Sequence, residues 1–246
     1  MAKILVVGAT STVASIFAQA RAKSGDELFC LARNEEKLAG LTDSFPEAVK
    51  GVHCFDFNAT DIATIAVKKA VECLGAIDIV LIAHGDLTPQ IESEQNFQIA
   101  KSAFDINLLS VIALLIPIAE QMVAQGYGKI GVITSVAGDR GRPRNYTYGA
   151  AKGALSLYLQ GLRSTLWQSG VEIYDFKSGP VDTPMSASHE KNFSFSSPEL
   201  VASEIWNAFQ RRKFCVYIPG YWRWVMLCVR NMPECIFQRL KFLSAR

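Results

Sequence analysis

The chain has 246 residues, half of them apolar, with a formal net charge of +2. That length can bury a sizeable core, and the absence of long polar or repetitive tracts excludes a disordered chain. So small a net charge excludes a surface built for nucleic acid.

Strand and helix patterns alternate along the chain. Residues 4–7 form a short apolar run that stops at Gly8 and reads as a buried strand. Helical spacing follows over 13–23. Further strands are predicted at 27–31, 52–55, 77–83, 129–135, 171–177 and 214–218, and helices at 35–41, 62–74, 97–124, 148–168 and 198–211. The strands are apolar on both faces, as in a parallel sheet covered by helices on both sides. The expected fold is therefore α/β, a doubly wound parallel sheet of about seven strands forming one domain over residues 1–218. Residues 219–246 stand apart as a basic, aromatic extension. The helices over 97–124 and 148–168 have little polar face, so they are expected to be buried all round or to face another subunit.

Six cysteines (Cys30, Cys54, Cys73, Cys215, Cys228, Cys235) include no CxxC pair. They read as buried free thiols of a reducing compartment, with no metal site. No targeting segment is recognisable, and no run approaches the roughly 20 apolar residues of a membrane span, so the cytoplasm is the expected location.

The first strand turns through Gly8-Ala9-Thr10-Ser11-Thr12-Val13-Ala14. In an open parallel sheet this turn is where a dinucleotide pyrophosphate meets a helix N-terminus. Gly8 allows close backbone approach, Thr10, Ser11 and Thr12 offer hydroxyls, and Val13 opens the helix. With a single glycine the same stretch also reads as an ordinary strand–helix turn. After the second strand, Ala32 stands where an acid would bind both ribose hydroxyls of NAD, and Arg33 follows. Arg33 is either a partner for the 2′-phosphate of NADP or a solvent-facing helix-start residue. Asp56, after the third strand and close to Asn58, is a candidate for the adenine amino group or a simple turn residue. Ala83-His84-Gly85 follows the fourth strand. Gly85 would let the chain pass the adenosine ribose, and His84 reads as a hydrogen-bonded loop residue rather than a catalytic base.

Tyr148 and Lys152 are four apart, on one helical face. A ketone reductase must protonate the oxygen as hydride reaches carbon, and a nearby ammonium is expected to lower the phenol from its ordinary value of about 10. Lys152 would also hold the nicotinamide ribose. Ser135 ends the fifth strand at the ligand-binding edge, where its hydroxyl can polarise a carbonyl. Asn107, in the preceding long helix, is a candidate anchor for a water relayed to Lys152.

Gly8, Asn107, Ser135, Tyr148 and Lys152 in this order, with Ser178-Gly179-Pro180-Val181-Asp182-Thr183-Pro184-Met185 after the sixth strand, resemble the short-chain dehydrogenase/reductase family over residues 3–218. The resemblance implies a Rossmann-like fold, Ser-Tyr-Lys-Asn catalysis with Asn107, Ser135, Tyr148 and Lys152, contacts of Val181 and Thr183 with the nicotinamide carboxamide, and dimers or tetramers through the two apolar helices. The family's TGxxxGxG turn has Thr12 and Ala14 in place of its later glycines, and its NNAG reads Ile82-Ala83-His84-Gly85. The expected function is reduction of a ketone or keto-sugar with NADP rather than NAD. The competing readings are a silent NADP-binding sensor and a membrane-peripheral scaffold.

Residues 186–197 occupy the position of the family's mobile substrate loop. Arg140, Arg142 and Arg144, between Ser135 and Tyr148, read either as binders of a substrate anion or as a solvated loop. From residue 211 onward there are eight basic residues against Glu234 alone, net +7, leaving −5 on the rest. Tyr221, Trp222, Trp224 and Phe237 among these arginines suit an anionic membrane surface, or equally a core or subunit-interface segment. The stretch from 135 to 155 and this tail are similar to bacterial family members in envelope-carbohydrate pathways that reduce polyprenyl-linked keto-sugars. A small-molecule or lipid-linked substrate follows from that likeness.

Overall fold

In the computed structural model, which describes residues 1–57, 63–187 and 194–240, the apolar runs form one sheet. Its strands are β1 (Lys3–Val7), β2 (Glu27–Ala32), β3 (Val49–Cys54), β4 (Ile79–Ile82), β5 (Gly128–Ser135), β6 (Val171–Ser178) and β7 (Cys215–Ile218). They lie in the order β3-β2-β1-β4-β5-β6-β7, every pair parallel. Parallel neighbours need crossovers, and these are α1 (Thr12–Lys23), α2 (Glu35–Ser44), α3 (Ala63–Leu74), α4 (Gln90–Gln95), α5 (Phe97–Phe104), α6 (Ser110–Gln125), α7 (Tyr146–Leu166) and α8 (Pro198–Arg211).

Each central strand feeds two cores. In β1, Leu5 and Val7 join the cluster with α3, α6 and α7, while Ile4 and Val6 join the cluster with α1, α2 and α8. This explains why the inner strands carry no polar alternation. β3 departs from the expectation: it is an edge strand whose burial alternates, with Val52 exposed.

The chain leaves β1 toward β2 on one side and returns through β4 on the other. The ends of β1 and β4 therefore border the crevice where such sheets bind ligands.

The helix expected over 97–124 is continuous from Phe97 to Gln125, but its middle, Asp105–Leu109, widens into a π turn. Such turns re-aim side chains inside a helix, and this one contains Asn107. By length and composition the helix is apolar enough to cross a membrane. Here it packs on α3 and, through its π turn, on α7, with Leu114, Leu115 and Ile118 in the core. The expectation of burial all round is corrected: Leu109 and Ile116 on this helix and Leu157 on α7 are exposed.

The cysteine expectation is also corrected. All six thiols are free, but only Cys30 is buried; the other five lie on edge strands, helix exteriors and the tail. The tail forms α9 (Trp222–Asn231) and α10 (Glu234–Phe237), which the sequence reading left unassigned. Met226, Val229 and Phe237 close a third small core on Val136. Residues 241–246, part of the substrate loop (188–193) and Asn58 lie outside the described residues.

Candidate active site

Gly8 ends β1 at a positive φ of 77°, and a Cβ there would lie 2.7 Å from the backbone nitrogen of His84. Only glycine allows the β1 and β4 ends to approach so closely. The N–H groups of Gly8 and Ala9 both donate to the Leu31 carbonyl, which fixes the turn. α1 then begins without a side-chain cap: Ser11 is its N-cap residue, yet its buried Oγ has no partner among the described residues. An uncapped helix start beside an orphaned hydroxyl and a glycine cradle fits a dinucleotide phosphate. The missing later glycines are Thr12, half-buried, and Ala14, packed in the core, so they leave this cradle in place. Val13 is also core, so its side chain faces away from any ligand.

At the end of β2, Arg33 is exposed and makes no ion pair among the described residues. Asn34 caps α2 by accepting from the Lys37 N–H at 2.8 Å. Lys37 lines a cleft of about 370 Å³ between α1 and α2, together with Thr10. The sequence reading did not single out Lys37, because the α1–α2 packing is what brings it to this cleft. Asp56 is exposed past β3.

His84 is buried, stacks on Phe57 at 3.9 Å between ring centroids, and shares a 2.8 Å hydrogen bond between its Nε2 and Ser110 Oγ. Burial first, then the nearby Lys152 and Arg33 charges, push its pKa down to about 3. It is a neutral brace, as the sequence suggested, and its Nδ1 has no partner among the described residues.

Four residues proposed for catalysis converge at the ends of β4 and β5. Asn107 is fully buried: its Nδ2 donates to the carbonyls of Asp86 and Ala103, both at 2.9 Å, and its Oδ1 accepts from the Asp86 N–H at 3.1 Å. A Cβ on Gly85 would lie 2.9 Å from Asn107 Oδ1 and 3.2 Å from Lys152 Nζ, so both side chains close on that one backbone position. Both Asn107 amide hydrogens are engaged by the main chain, which makes this residue first a brace for residues 85–86. Lys152 Nζ donates to the Ile133 carbonyl at 3.3 Å and lies 5.9 Å from the Tyr148 ring centroid. Ser135 Oγ accepts from the Ala137 N–H at 3.1 Å and donates to the Ser178 carbonyl over a long 3.4 Å.

The electrostatics differ from the expected phenol–ammonium coupling. Burial pushes the Tyr148 phenol up to about 12, with Ser135 opposing and the Asp86 charge adding to the rise. Burial lowers Lys152 to about 8, with Asp175 opposing. Desolvation disfavours both charged forms and is the largest cause of each shift. At neutral pH the site holds a neutral phenol and a charged lysine.

Backbone contacts hold this geometry. Ser135 runs into a short turn, Val136–Asp139, that lies directly on α7. A Cβ on Gly138 would sit 2.6 Å from Gly153 N, and one on Gly149 would sit 2.7 Å from the Ala137 carbonyl. The sequence reading overlooked this glycine seam, although Gly149 and Gly153 flank Lys152. Gln90 of α4 pins the first turn of α7 by accepting from the Thr147 N–H at 2.9 Å and donating to Thr147 Oγ1 at 3.1 Å.

The three loop arginines divide. Arg140 donates to the carbonyls of Val229 and Met232, both at 2.6 Å, pairs with Glu234 at 2.7 Å and lies over the Phe237 ring. It is therefore a tail anchor, and its reading as an anion binder is corrected. Arg142 is half-buried with an unpartnered buried Nε. Burial lowers its pKa, Arg144 adds to this, and Asp139 opposes it. Below the loop, Asp139 is engaged by Lys177 at 2.5 Å and by the Tyr217 hydroxyl at 2.6 Å. Trp222, another residue the sequence did not single out for the site, packs closely on Gly179: a Cβ there would be 2.1 Å from the indole nitrogen. Val181 bridges to Ser196, and the Thr183 N–H donates to Ser186 Oγ at 3.3 Å, which folds this segment beside the site.

Comparison with known proteins agrees with this geometry. The model of the short chain dehydrogenase family matches residues 2–193. An uncharacterized oxidoreductase of Mycobacterium tuberculosis is 28% identical over 242 residues, covering 97% of each chain. Two solved structures share the fold. One is a short chain dehydrogenase/reductase from Burkholderia phymatum in complex with NAD (TM-score 0.80, 20% identity, 94% of each chain covered). The other is an alcohol dehydrogenase from the archaeon Thermococcus sibiricus complexed with 5-hydroxy-NADP (TM-score 0.75, 21% identity, 85% of this chain and 90% of that one). A doubly wound parallel sheet, a glycine turn at the end of its first strand and a matched family model lead to one conclusion: this chain belongs to the short chain dehydrogenase family, and it is an oxidoreductase acting on CH–OH or C=O groups.

Proposed function

We propose that the protein reduces a ketone or keto-sugar to a secondary alcohol with NADPH. The observation that supports reduction is the placement of Tyr148 in a buried site, its ring centroid 5.9 Å from Lys152 Nζ and near Ser135, where burial favours the protonated phenol. A neutral buried phenol is a proton donor, which the oxygen of a reacting carbonyl requires. NADPH supplies the hydride when bound. Ser135 exchanges its long bond to Ser178 for one to the substrate oxygen. Tyr148 donates its proton to that oxygen, and the Lys152 charge favours the phenolate left behind. Asn107 positions the Gly85–Asp86 segment against Lys152.

On the cofactor, Gly8, Thr10, Ser11, Thr12 and the Val13 backbone take the pyrophosphate. Arg33, supported by Lys37, takes the 2′-phosphate and Asp56 the adenine. Ala83, His84 and Gly85 pass the adenosine, Tyr148 and Lys152 hold the nicotinamide ribose, and Val181 and Thr183 the carboxamide. Arg142, the half-buried arginine of this loop, takes an anionic group of the substrate, which fits a phosphorylated or lipid-linked keto-sugar. Residues 1–218 form the catalytic unit and 219–246 its extension. The exposed apolar side chains Leu109, Ile116 and Leu157 suit a homodimer or homotetramer. We place the enzyme in the cytoplasm, at the inner face of the membrane.

The test is titration of the purified protein with NADPH and, separately, NADH, followed by nicotinamide fluorescence, and then a screen of ketones and keto-sugars. NADPH is expected to bind about tenfold or more tightly, the worth of a charge-assisted contact. Equal binding overturns the NADP assignment, and binding of neither overturns the cofactor site.

A further inference from the structure

α9 is apolar on two faces, and only one is covered. Its inner face, Met226 and Val229, is buried against Val136 and Phe237. Its outer face presents Tyr221, Trp224, Val225 and Leu227 to solvent, with Trp224 64% and Leu227 52% exposed. Arg223 and Arg230 border this face and are themselves exposed. The nearby carboxylate of Glu234 is held by Arg140. Beside the helix, at the β7 edge, lies a cleft of about 290 Å³ whose rim includes Arg211, Lys213, Arg223 and Trp224, with Glu204 its acidic member.

We propose that this face docks the enzyme on an anionic phospholipid bilayer. Exposed Trp and Leu side chains bordered by arginines match the headgroup–acyl boundary: the apolar groups enter the acyl region while the cations meet lipid phosphates. A second copy of the chain fits worse, because a two-fold contact would set Arg223 and Arg230 against the same charges. The docked face lies on the far side of α9 from Val136, the residue after Ser135. Docking therefore leaves only the thickness of α9 between the bilayer and the turn that follows Ser135. This rests on and deepens the proposed placement at the membrane, naming the face and the lipid charge, and does not depend on turnover.

The experiment is co-sedimentation of the full chain with phosphatidylcholine vesicles and with vesicles containing phosphatidylglycerol, at low and high salt. Binding is expected only to the anionic vesicles, and high salt weakens it because exposed charges are screened. R223Q/R230Q should weaken it roughly 25-fold, at about fivefold per arginine, and Trp224→Ser with Leu227→Ser should abolish it. Circular dichroism checks that each variant is folded; if the serine variant is not, the arginine pair carries the test. No sedimentation, equal sedimentation with neutral vesicles, or a dimer seen by light scattering that the serine variant breaks without any vesicle binding overturns the proposal.

Discussion

The two halves of the candidate site are built in opposite ways. Around Ser135, Tyr148 and Lys152, backbone rests on backbone through Gly138, Gly149 and Gly153, and Asn107 has both amide hydrogens engaged. Around the β1 turn, Ser11 Oγ and the first N–H groups of α1 are left open. On the proposed reading, the half that performs chemistry fixes its own groups in place, and the half that receives the cofactor leaves donors unmatched. Preorganisation belongs to the first half and complementarity to the second.

The comparison can be broken most severely at the phenol. Tyr148→Phe should lower the reduction rate by about 10³-fold or more, within the range of a lost general acid, while NADPH affinity falls far less, by the one ribose contact that the hydroxyl makes. Next comes the seam. Gly153→Val forces α7 away from the turn after Ser135. A displacement of about 1 Å should lower kcat about 100-fold, with a fall in melting temperature and only a small change in NADPH affinity, which the same titration reads. If affinity falls as far as rate, the two halves are not independent.

Arg33→Ala sharpens the contrast from the other side. NADPH affinity should drop roughly 10- to 100-fold, while NADH affinity and the rate at saturating cofactor stay close to the parent values.

Lys152 links both halves and gives a subtler test. Its folded pKa, about 8, lies below the ordinary 10.5, so folding disfavours its charged form. The penalty is full below pH 8 and disappears as pH rises toward 10.5. Lys152→Met should therefore abolish activity yet raise the melting temperature at pH 7 by roughly 2–8 °C, equivalent to about 1–2 kcal/mol. The difference between variant and parent should shrink above pH 8. A variant less stable than the parent at pH 7 would show that the lysine is held favourably as a cation.

The sheet was legible in the sequence because its inner strands feed two cores and so lack polar alternation. The candidate set of Ser135, Tyr148 and Lys152 could be picked out because Ser135 ends β5 and Tyr148 and Lys152 sit four apart on α7. Three things were not legible. The π turn at Asn107 leaves the apolar periodicity of a plain helix intact. The glycine seam depends on a turn meeting a helix. The unequal roles of Arg140 and Arg142 depend on residues some ninety positions later. The rise of the Tyr148 pKa was misjudged for a related reason: spacing gives the charge partner, but burial, which dominates here, is a property of the fold.

Arg140 receives its partners from Val229, Met232 and Glu234, which lie 89 to 94 residues downstream. During synthesis the sheet through β6 can assemble while the loop beside Ser135 still lacks the carbonyls that hold it. The loop beside Ser135 is thus tied down only once residues 229–234 have been made, long after the strand and helix it connects, and removing Val229, Met232 and Glu234 together would leave Arg140 without the partners that hold it.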